Sequence, residues 1–405
     1  MKKLRNLEIM EPIITRNISA LTSRVSAVGL ALVLSGVMAL AATNPPTTDT
    51  AATLLRLQAQ LDQQTQRIDR LYAALGPELD ELEKRAAEMK KQAEEDAALE
   101  LGTVCVLKDQ DLTTRAQFSP VDNTFAVVTH KGMVLVFSAD GQQLRELSLP
   151  DERLTAFGYA PDGKRMLVGT RAGKVLLWDL AAGKPQPVFA RLEKSVCHLL
   201  WLPNPDRFVV AYDKALGQYA GFIVRLADGE PVANFSSHWQ IATYQAIAAS
   251  ADGKWIGALD VPNEERAGYL LNSTNVEIKL KLIDADYPSG PLSIGIAPDN
   301  NTVAVGYAPN SLSLWDAAGQ KELRLVKAHS NWVTTLGFSP DSRRLISGGG
   351  DSTARIWEVI TGKEIGRIRF EGSSTYVNSV GFSSDGKLIL AAGENDVLII
   401  AKAPK

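Results

Sequence analysis

The sequence predicts an all-β main domain of seven repeated four-stranded units, which follows an apolar N-terminal segment and a helical stalk. A turn motif recurs at a step of about 41 to 48 residues from residue 103 onward and indicates the repeats. A heptad pattern before residue 103 indicates the stalk. The 405 residues are 45% hydrophobic and 22% charged, an ordinary globular composition with room for all three parts.

The first 42 residues are typical of a signal peptide or a membrane anchor. Residues 25–42 carry no charge and follow a basic stretch, which predicts a cytoplasmic N-terminus and a main domain outside the cytoplasm. Three interpretations stay open: a signal peptide cleaved near the small-x-small pattern at 39–41, an uncleaved transmembrane anchor through 25–42, or a buried helix of a cytoplasmic protein. Residues 43–53 are a predicted linker. We expect an exported protein of the cell envelope, either periplasmic or anchored by a single membrane pass.

Residues 54–100 are predicted to form a coiled-coil-like helical stalk. Apolar residues alternate at spacings of three and four, and Gly76-Pro77 interrupts the stripe. The stripe fits a coiled coil that makes the protein a homo-oligomer, a helical hairpin folded at Gly76-Pro77, or a solvated amphipathic stalk. Gln64 occupies one seam position and could set the register. The apolar positions are Leu54, Leu57, Leu61, Ile68, Leu71, Leu75, Leu79, Leu82, Ala86, Met89 and Ala93.

Seven copies of a short turn motif divide the region 103–405. Each copy follows a β-rich run and is built from proline, aspartate, serine or glycine, which preset turn dihedrals or tolerate a positive φ. A second run, a third run that often ends in an aromatic residue, a polar turn and a fourth run come next. This order predicts four short antiparallel strands per unit. The copies are centred on Pro120, Pro161, Pro203, Ala251, Pro298, Pro340 and Ser384.

Three of the third strands end in a tryptophan and an acidic residue, and one unit is preceded by an Ala-His pair. Together with the period, these residues resemble WD40 repeats. The resemblance implies a seven-bladed WD40-like β-propeller over residues 103–405, with degenerate units around Pro203 and Ala251 that lack the tryptophan. The motifs are Trp178-Asp179, Trp315-Asp316, Trp357-Glu358 and Ala328-His329.

The same resemblance implies a structural tetrad in the unit that spans residues 329–357. In the family, a His, a Ser or Thr, an Asp and the Trp hydrogen-bond to one another inside a blade, as buried polar groups must. Only this copy has all four residue types, so we expect it to be the most rigid blade. The tetrad residues would be His329, Ser347, Asp351 and Trp357.

The two ends of the repeat region predict how the ring closes. The chain ends soon after the third run of the seventh unit, so that unit lacks a fourth strand of its own. Residues 103–108 are β-rich and precede the first unit. We expect them to supply the missing strand, which would close the ring and remove an open sheet edge.

The sequence contains no metal-ligand spacing, phosphate-binding loop or nucleophile elbow of the usual kinds. The four histidines fall in different copies without a metal-ligand spacing, and residues 347–351, although glycine-rich, are not followed by the residues of a phosphate-binding loop. The two cysteines, Cys105 and Cys197, form no CxxC motif, and there is no GxSxG elbow. The net charge of -3 gives no footprint for nucleic acid. We therefore expect no catalytic residue, no metal and no cofactor.

The residue before the first strand of each unit is expected to lie on one face of the propeller near the channel. Trp332 and Tyr376 fall in neighbouring units, and two adjacent exposed aromatic side chains would form an interface anchor; alternatively, they pack on the loops between blades. Alignment on the turn proline places Leu112, Arg153, Ser195, Thr243, Gly290, Trp332 and Tyr376 there. The candidates for partner binding are Trp332, Tyr376, Arg153, Leu112 and Thr243.

The sequence thus predicts a non-catalytic scaffold or adaptor that binds an unidentified protein partner. Two alternatives stay open. One is an exported propeller enzyme or small-ligand binder that uses the central channel, and the other is a structural component that oligomerises through the stalk.

Overall fold

The computed structural model describes most of the chain from residue 96 onward and a part of the predicted stalk. The described residues are 56, 59–60, 62–67, 70, 81–82, 84–92, 94, 96–108, 111–189, 192–203, 206–215, 218–236, 247–259, 267–282, 290–371, 375–394 and 396–404. The chain divides into two compact units, Met1–Ala98 and Leu99–Lys405. The segments 1–42 and 43–53 lie outside the described residues.

The first unit is helical wherever it is described. The described residues between 56 and 70 and between 81 and 98 are in α-helical conformation. Leu82 and Met89 belong to the predicted apolar stripe, and their exposed fractions are 61% and 63%. None of the described helices is long and apolar enough to cross a membrane.

The second unit is a seven-bladed β-propeller, as the turn motif predicted. In the described part of the chain, strands β1–β28 form seven four-stranded antiparallel sheets, which are the blades. The closing strand is β1 (Thr103–Leu107), and blades 1 to 3 contain β2 (Leu112–Phe118), β3 (Phe125–Thr129), β4 (Val134–Phe137), β5 (Gln143–Leu147), β6 (Leu154–Tyr159), β7 (Arg165–Thr170), β8 (Val175–Asp179), β9 (Pro185–Phe189), β10 (Val196–Trp201), β11 (Arg207–Ala215), β12 (Gln218–Arg225) and β13 (Pro231–Ser236). Blades 4 to 7 contain β14 (Ile247–Ala249), β15 (Trp255–Leu259), β16 (Gly268–Asn272), β17 (Ile278–Leu282), β18 (Pro291–Ile296), β19 (Thr302–Tyr307), β20 (Ser311–Asp316), β21 (Lys321–Lys327), β22 (Val333–Phe338), β23 (Arg344–Gly349), β24 (Thr353–Glu358), β25 (Glu364–Arg369), β26 (Val377–Phe382), β27 (Leu388–Gly393) and β28 (Val397–Lys402).

Strand β1 closes the ring, which confirms the prediction for the β-rich segment before the first unit. It pairs antiparallel with β28 and becomes the outermost strand of blade 7. The residues just before it are fastened to blade 6. Leu101 donates its backbone N–H to the carbonyl of Arg367 at 3.0 Å, and Glu100 forms a 2.5 Å ion pair with Arg369. The closing segment therefore joins two blades.

The core lies between the blades. Strands such as β3 and β23 are almost completely buried, because a neighbouring blade covers each face of their sheet, whereas the outer strand β5 is mostly exposed. Apolar clusters fill the interfaces between adjacent blades. One of them joins Phe125 of blade 1 to Leu390 of blade 7, so the closure seam is packed like the rest of the ring.

The turn motifs, Pro-Asp in blade 2 and Ser-Asp in blade 7, form turns at the end of the propeller opposite to the predicted rim. Asp162 accepts a hydrogen bond from the backbone N–H of Lys164 at 2.9 Å, and Gly163 takes a φ of 65°. Asp385 accepts the equivalent bond from Lys387 at 3.0 Å. Ser383, Lys387 and this backbone bond hold the pKa of Asp385 at about 2. These carboxylates therefore stabilise the turns as hydrogen-bond acceptors.

Candidate protein-interaction rim

The structure brings the four tetrad residues of blade 6 into one buried hydrogen-bonded chain. The indole N–H of Trp357 donates to Ser347 Oγ at 2.9 Å, and Ser347 Oγ lies 2.8 Å from Nε2 of His329. Nδ1 of His329 lies 2.9 Å from Oδ1 of Asp351. Each partner is satisfied if Nδ1 of the histidine carries the proton and Ser347 donates to Nε2, so we assign that tautomer.

The charges of the tetrad are set by burial and by its hydrogen bonds. Burial lowers the pKa of His329, and the neighbouring Asp351 opposes this only in part, so the imidazole is neutral. Burial raises the pKa of Asp351, but hydrogen bonds from His329, Thr353 and the backbone of Ser330 outweigh it, and the pKa falls well below its usual range. Arg355 adds an ion pair to Asp351 at 3.1 Å. The network is satisfied and fixes the loop beside the rim.

The glycine run at 348–350 is required by packing. A Cβ on Gly349 would collide with the His329 ring, and one on Gly350 would lie 2.7 Å from a ring carbon of Tyr376. A Cβ on Gly348 would lie 2.6 Å from the carbonyl oxygen of Val377 in the next blade. The glycines therefore let the tetrad, a rim aromatic residue and the neighbouring strand approach the backbone closely.

The third-strand tryptophans of blades 5 and 2 differ from Trp357 in their hydrogen bonds. In blade 5, Trp315 donates to Ser313 Oγ at 2.7 Å, and Tyr307 Oη lies 3.0 Å from the same hydroxyl. In blade 2, the indole N–H of Trp178 is buried and has no hydrogen-bond partner among the described residues. The polar arrangement in blade 5 had no counterpart in the sequence analysis, because its serine lies on the third strand and not on the second.

In blades 1, 2, 6 and 7, the residue before the first strand lies beside the residue that follows the second strand of the same blade. The backbone carbonyl of Trp332 accepts the N–H of Gly350 at 2.9 Å, that of Tyr376 accepts the N–H of Glu394 at 3.0 Å, and that of Arg153 accepts the N–H of Arg171 at 2.9 Å. These hydrogen bonds position the residues of the rim, which we define as the pre-strand residues and their partners at this end of the channel.

Trp332 and Tyr376 meet on the rim. Their ring centroids are 5.9 Å apart with an interplanar angle of 54°. Trp332 keeps 39% of its surface exposed, and Tyr376 is partly buried. Asn331 supports the pair, because its Oδ1 accepts the backbone N–H of Trp332 at 2.8 Å and its Nδ2 donates to the carbonyl of Gly350 at 3.2 Å.

The placement of Leu112 on the rim is wrong. Leu112 is the first residue of β2, is only 2% exposed, and packs in the core between blades 1 and 7. The cause is a longer bulge in β2. The five residues from Leu112 to Ala116 lie opposite three residues of β3, whereas in blade 2 the three residues from Leu154 to Ala156 lie opposite two residues of β7. A fixed number of residues counted back from the turn proline therefore ends on Leu112, the first residue of β2, and not on the residue before the strand.

The remaining pre-strand positions differ in residue type and in exposure to solvent. The rim position of blade 1 belongs to Asp111, whose carbonyl accepts the N–H of His130 at 2.7 Å. Arg153 is exposed, Ser195 is partly buried and Gly290 is buried. Thr243 lies outside the described residues.

The central channel is lined by the first strands of the blades and reaches the turns around Pro120, Pro340 and Ser384, at the end opposite to the rim. Its volume is about 790 Å³, and the first strands β2, β6, β10, β14, β22 and β26 contribute to its lining. Arg115 and His198 are among the polar lining residues. Burial, with Arg115 nearby, lowers the pKa of His198 to about 3, so this histidine is neutral at pH 7. Among the described residues, no group of His, Cys, Asp and Glu could hold a metal ion.

Two family models match the blades. The model described as "WD domain, G-beta repeat" matches residues 320–358 and 363–400, and "Anaphase-promoting complex subunit 4 WD40 domain" matches residues 116–204. The first match runs through the tetrad. The chain belongs to the WD40-repeat β-propeller family.

Curated WD40 relatives resemble part of this chain. Meiotic fizzy-related protein 1 of Schizosaccharomyces pombe is 25% identical over 249 residues, which cover 59% of this chain and 55% of the relative. APC/C activator protein CDH1 of Saccharomyces cerevisiae is 27% identical over 241 residues, 58% of this chain and 40% of the relative. Protein groucho of Drosophila melanogaster is 26% identical over 242 residues, 59% of this chain and 31% of the relative. The chain thus spans about half or less of the length of these relatives.

Proposed function

We propose that this WD40 propeller is a non-catalytic scaffold that binds a protein partner through its rim. The observation that carries the proposal is the aromatic pair of the exposed Trp332 on blade 6 and the partly buried Tyr376 on blade 7. Large aromatic side chains on a fixed backbone contribute much of the energy of protein interfaces at a small entropic cost. The name of one relative, an APC/C activator protein, supports a regulatory role.

The pair is held so that little ordering is needed when a partner binds. The hydrogen bonds of Asn331 fix the backbone on both sides, and the close approach of Tyr376 to Gly350 limits the movement of its ring. A preorganised anchor loses less conformational entropy on binding than a mobile one.

Affinity capture from the native source with variants of the full chain tests this proposal. We expect wild type and Ile360→Ala to recover the same proteins, and Trp332→Ala with Tyr376→Ala to lose at least one of them. Ile360 is the control because it is 77% exposed and lies in the turn between β24 and β25, at the opposite end of the strands. Recovery of an identical set by all three proteins would contradict the proposal.

We propose in addition that the propeller is exported and stays in the cell envelope, either free or tethered through residues 25–42. The uncharged run after a basic N-terminus supports this location. Cell fractionation with determination of the mature N-terminal residue tests it. An N-terminus near residue 42 or an intact chain in the membrane fraction is expected, whereas an intact chain in the cytosol would exclude export.

We also propose that residues 54–100 associate with a second copy of the chain. Leu82 and Met89 are seven residues apart on the apolar stripe, and each keeps more than 60% of its surface exposed within one chain. A stripe of this kind is stabilised when the same stripe of another copy covers it.

A further inference from the structure

A pocket lined by three arginines lies on the rim, on the side of blades 1, 2 and 3. Its volume is about 440 Å³, and its lining includes Arg115, Arg153, Arg171, His130 and Ser195. Arg153 is the pre-strand residue of blade 2, and Arg171 is its hydrogen-bonded partner after β7. The three guanidinium groups come from two blades, and no single motif in the sequence places them together.

The position of Arg153 is fixed by its surroundings. Its guanidinium donates to the backbone carbonyl of His130 in blade 1. Gly132 takes a φ of 82°, and a Cβ there would lie 2.6 Å from Cβ of Arg153. The arginine therefore lies directly over the glycine backbone, and the pocket is preorganised between the two blades.

The lining is electropositive. None of the lining residues is an aspartate or a glutamate among the described parts of the chain. The nearby carboxylates of Asp111, Glu152 and Asp396 form ion pairs with Lys131, Lys174 and His130 respectively. Arg115 also lines the channel and disfavours a second positive charge on His198. Arg115 therefore contributes positive charge to both the rim pocket and the channel lining.

We propose that the pocket of Arg115, Arg153 and Arg171 binds an oxyanion, supplied by an acidic side chain in a peptide segment of a protein partner. A planar guanidinium fits a carboxylate with two parallel hydrogen bonds, and several of them in a partly enclosed site favour one anionic group strongly. A peptide is favoured over a free anion because four consecutive blades, 6, 7, 1 and 2, contribute to the described rim. Their pre-strand residues are Trp332, Tyr376, Asp111 and Arg153.

This inference rests on the proposed scaffold function and specifies the chemistry of the partner. An extended peptide that crosses the rim could place an apolar residue on the aromatic pair and an acidic residue in the arginine pocket.

Binding of rhodamine-labelled hexaglutamate to the full chain, followed by fluorescence anisotropy, tests the inference. Hexaglutamine of the same length is the uncharged probe. We expect hexaglutamate to bind at least tenfold more tightly, and Arg153→Gln and Arg171→Gln each to weaken it by about tenfold. Arg343→Gln removes the same charge from an exposed arginine at the opposite end of the strands and should change binding less than about twofold. Circular dichroism melting of each variant verifies that it is folded.

Several outcomes would overturn the inference. Equal binding of the two peptides, or an equal loss in Arg343→Gln, would mean that the arginine pocket has no specific role. Inorganic phosphate that binds alone and displaces hexaglutamate at a lower concentration than the peptide itself would assign the pocket to a free anion. If Trp332 and Tyr376 are still needed for partner capture in any of these cases, the scaffold proposal survives and only the chemistry of the pocket is wrong.

Discussion

Trp357 and Trp178 end the third strands of two blades and differ in their hydrogen bonding. Trp357 donates to Ser347, whereas the buried N–H of Trp178 has no partner among the described residues. Replacement by phenylalanine removes a similar volume at both sites, so the two variants differ mainly in the lost hydrogen bond. We predict that Trp357→Phe lowers the free energy of unfolding by about 1–2 kcal/mol more than Trp178→Phe.

Urea unfolding followed by far-ultraviolet circular dichroism measures this difference, because the signal reports mainly on the backbone and, unlike fluorescence, does not rely on the replaced tryptophan. Equal losses in the two variants would contradict a stabilising role of the tetrad hydrogen bond.

His198 predicts how stability changes with pH. Burial and the charge of Arg115 lower its folded pKa to about 3, while the unfolded value is about 6.5. Below about pH 6.5 the unfolded chain binds a proton that the folded chain does not, so stability falls as the pH falls. The buried, neutral His329 acts in the same direction. We predict that His198→Asn loses less stability between pH 7.5 and pH 5 than wild type.

The carboxylates do not obscure this measurement. The lowered pKa of Asp351 and of Asp385 stabilises the fold above about pH 4, and this contribution is lost only below that value. Urea midpoints at pH 7.5 and pH 5 therefore report mainly on the histidines. An identical decrease in His198→Asn and wild type would show that His198 does not titrate as described.

Single residues were predictable where the repeat pattern holds and not where a local irregularity intervenes. The resemblance to WD40 repeats led to His329, Ser347, Asp351 and Trp357, which the structure brings together. The rim position of blade 1 was missed because a bulge in β2 adds a residue that the turn spacing does not reveal. Arg171 was missed because the alignment considered only one position per blade.

Among the elements, strand β1 has the largest consequence for the fold because it pairs the two ends of the propeller. Leu107 is 6% exposed and packs in the cluster between blades 7 and 1, while the adjacent Val106 is 42% exposed. We predict that Leu107→Ala lowers the free energy of unfolding by about 2–4 kcal/mol, and Val106→Ala by less than about 1 kcal/mol.

Both variants place alanine on the same strand, so their difference reports the effect of burial apart from that of strand propensity. Urea unfolding measures the loss of stability in each variant. Similar small losses would indicate that β1 is not packed against the ring.

The attachment of residues 99–101 to blade 6 could not be predicted from the sequence. Glu100 forms a single parallel bridge with Arg367, and Leu101 packs over Gly366, where a Cβ would lie 2.9 Å from the leucine side chain. One bridge produces no alternation of apolar residues. The existence of the blade strands, in contrast, followed from their regular turns and apolar runs.

At the scale of the whole molecule, the number of blades was predictable because each turn motif marks one blade. The arginine pocket was not, because Arg115, Arg153 and Arg171 are brought together only when blades 1 and 2 pack side by side. The location of the protein and the state of the first 42 residues stay predictions.

The stalk predicts the mass of the particle in solution. We expect sedimentation of the full chain to show an oligomer. Leu82→Gln with Met89→Gln should shift the equilibrium toward the monomer, because both side chains are exposed members of the apolar stripe that a second copy would cover. Lys84→Gln with Lys91→Gln has the same seven-residue spacing off the stripe and serves as the control. A monomeric wild type, or equal effects of the two pairs, would contradict association through the stalk.

The measurement that tests the rim most directly is site-specific photo-crosslinking of the full chain in living cells of its native source. A benzophenone amino acid would replace Trp332 in one variant and Ile360, at the opposite end of the strands, in another. The account predicts a discrete crosslinked protein from position 332 and none from position 360. Crosslinks only from position 360, or none from position 332, would contradict partner binding at the rim.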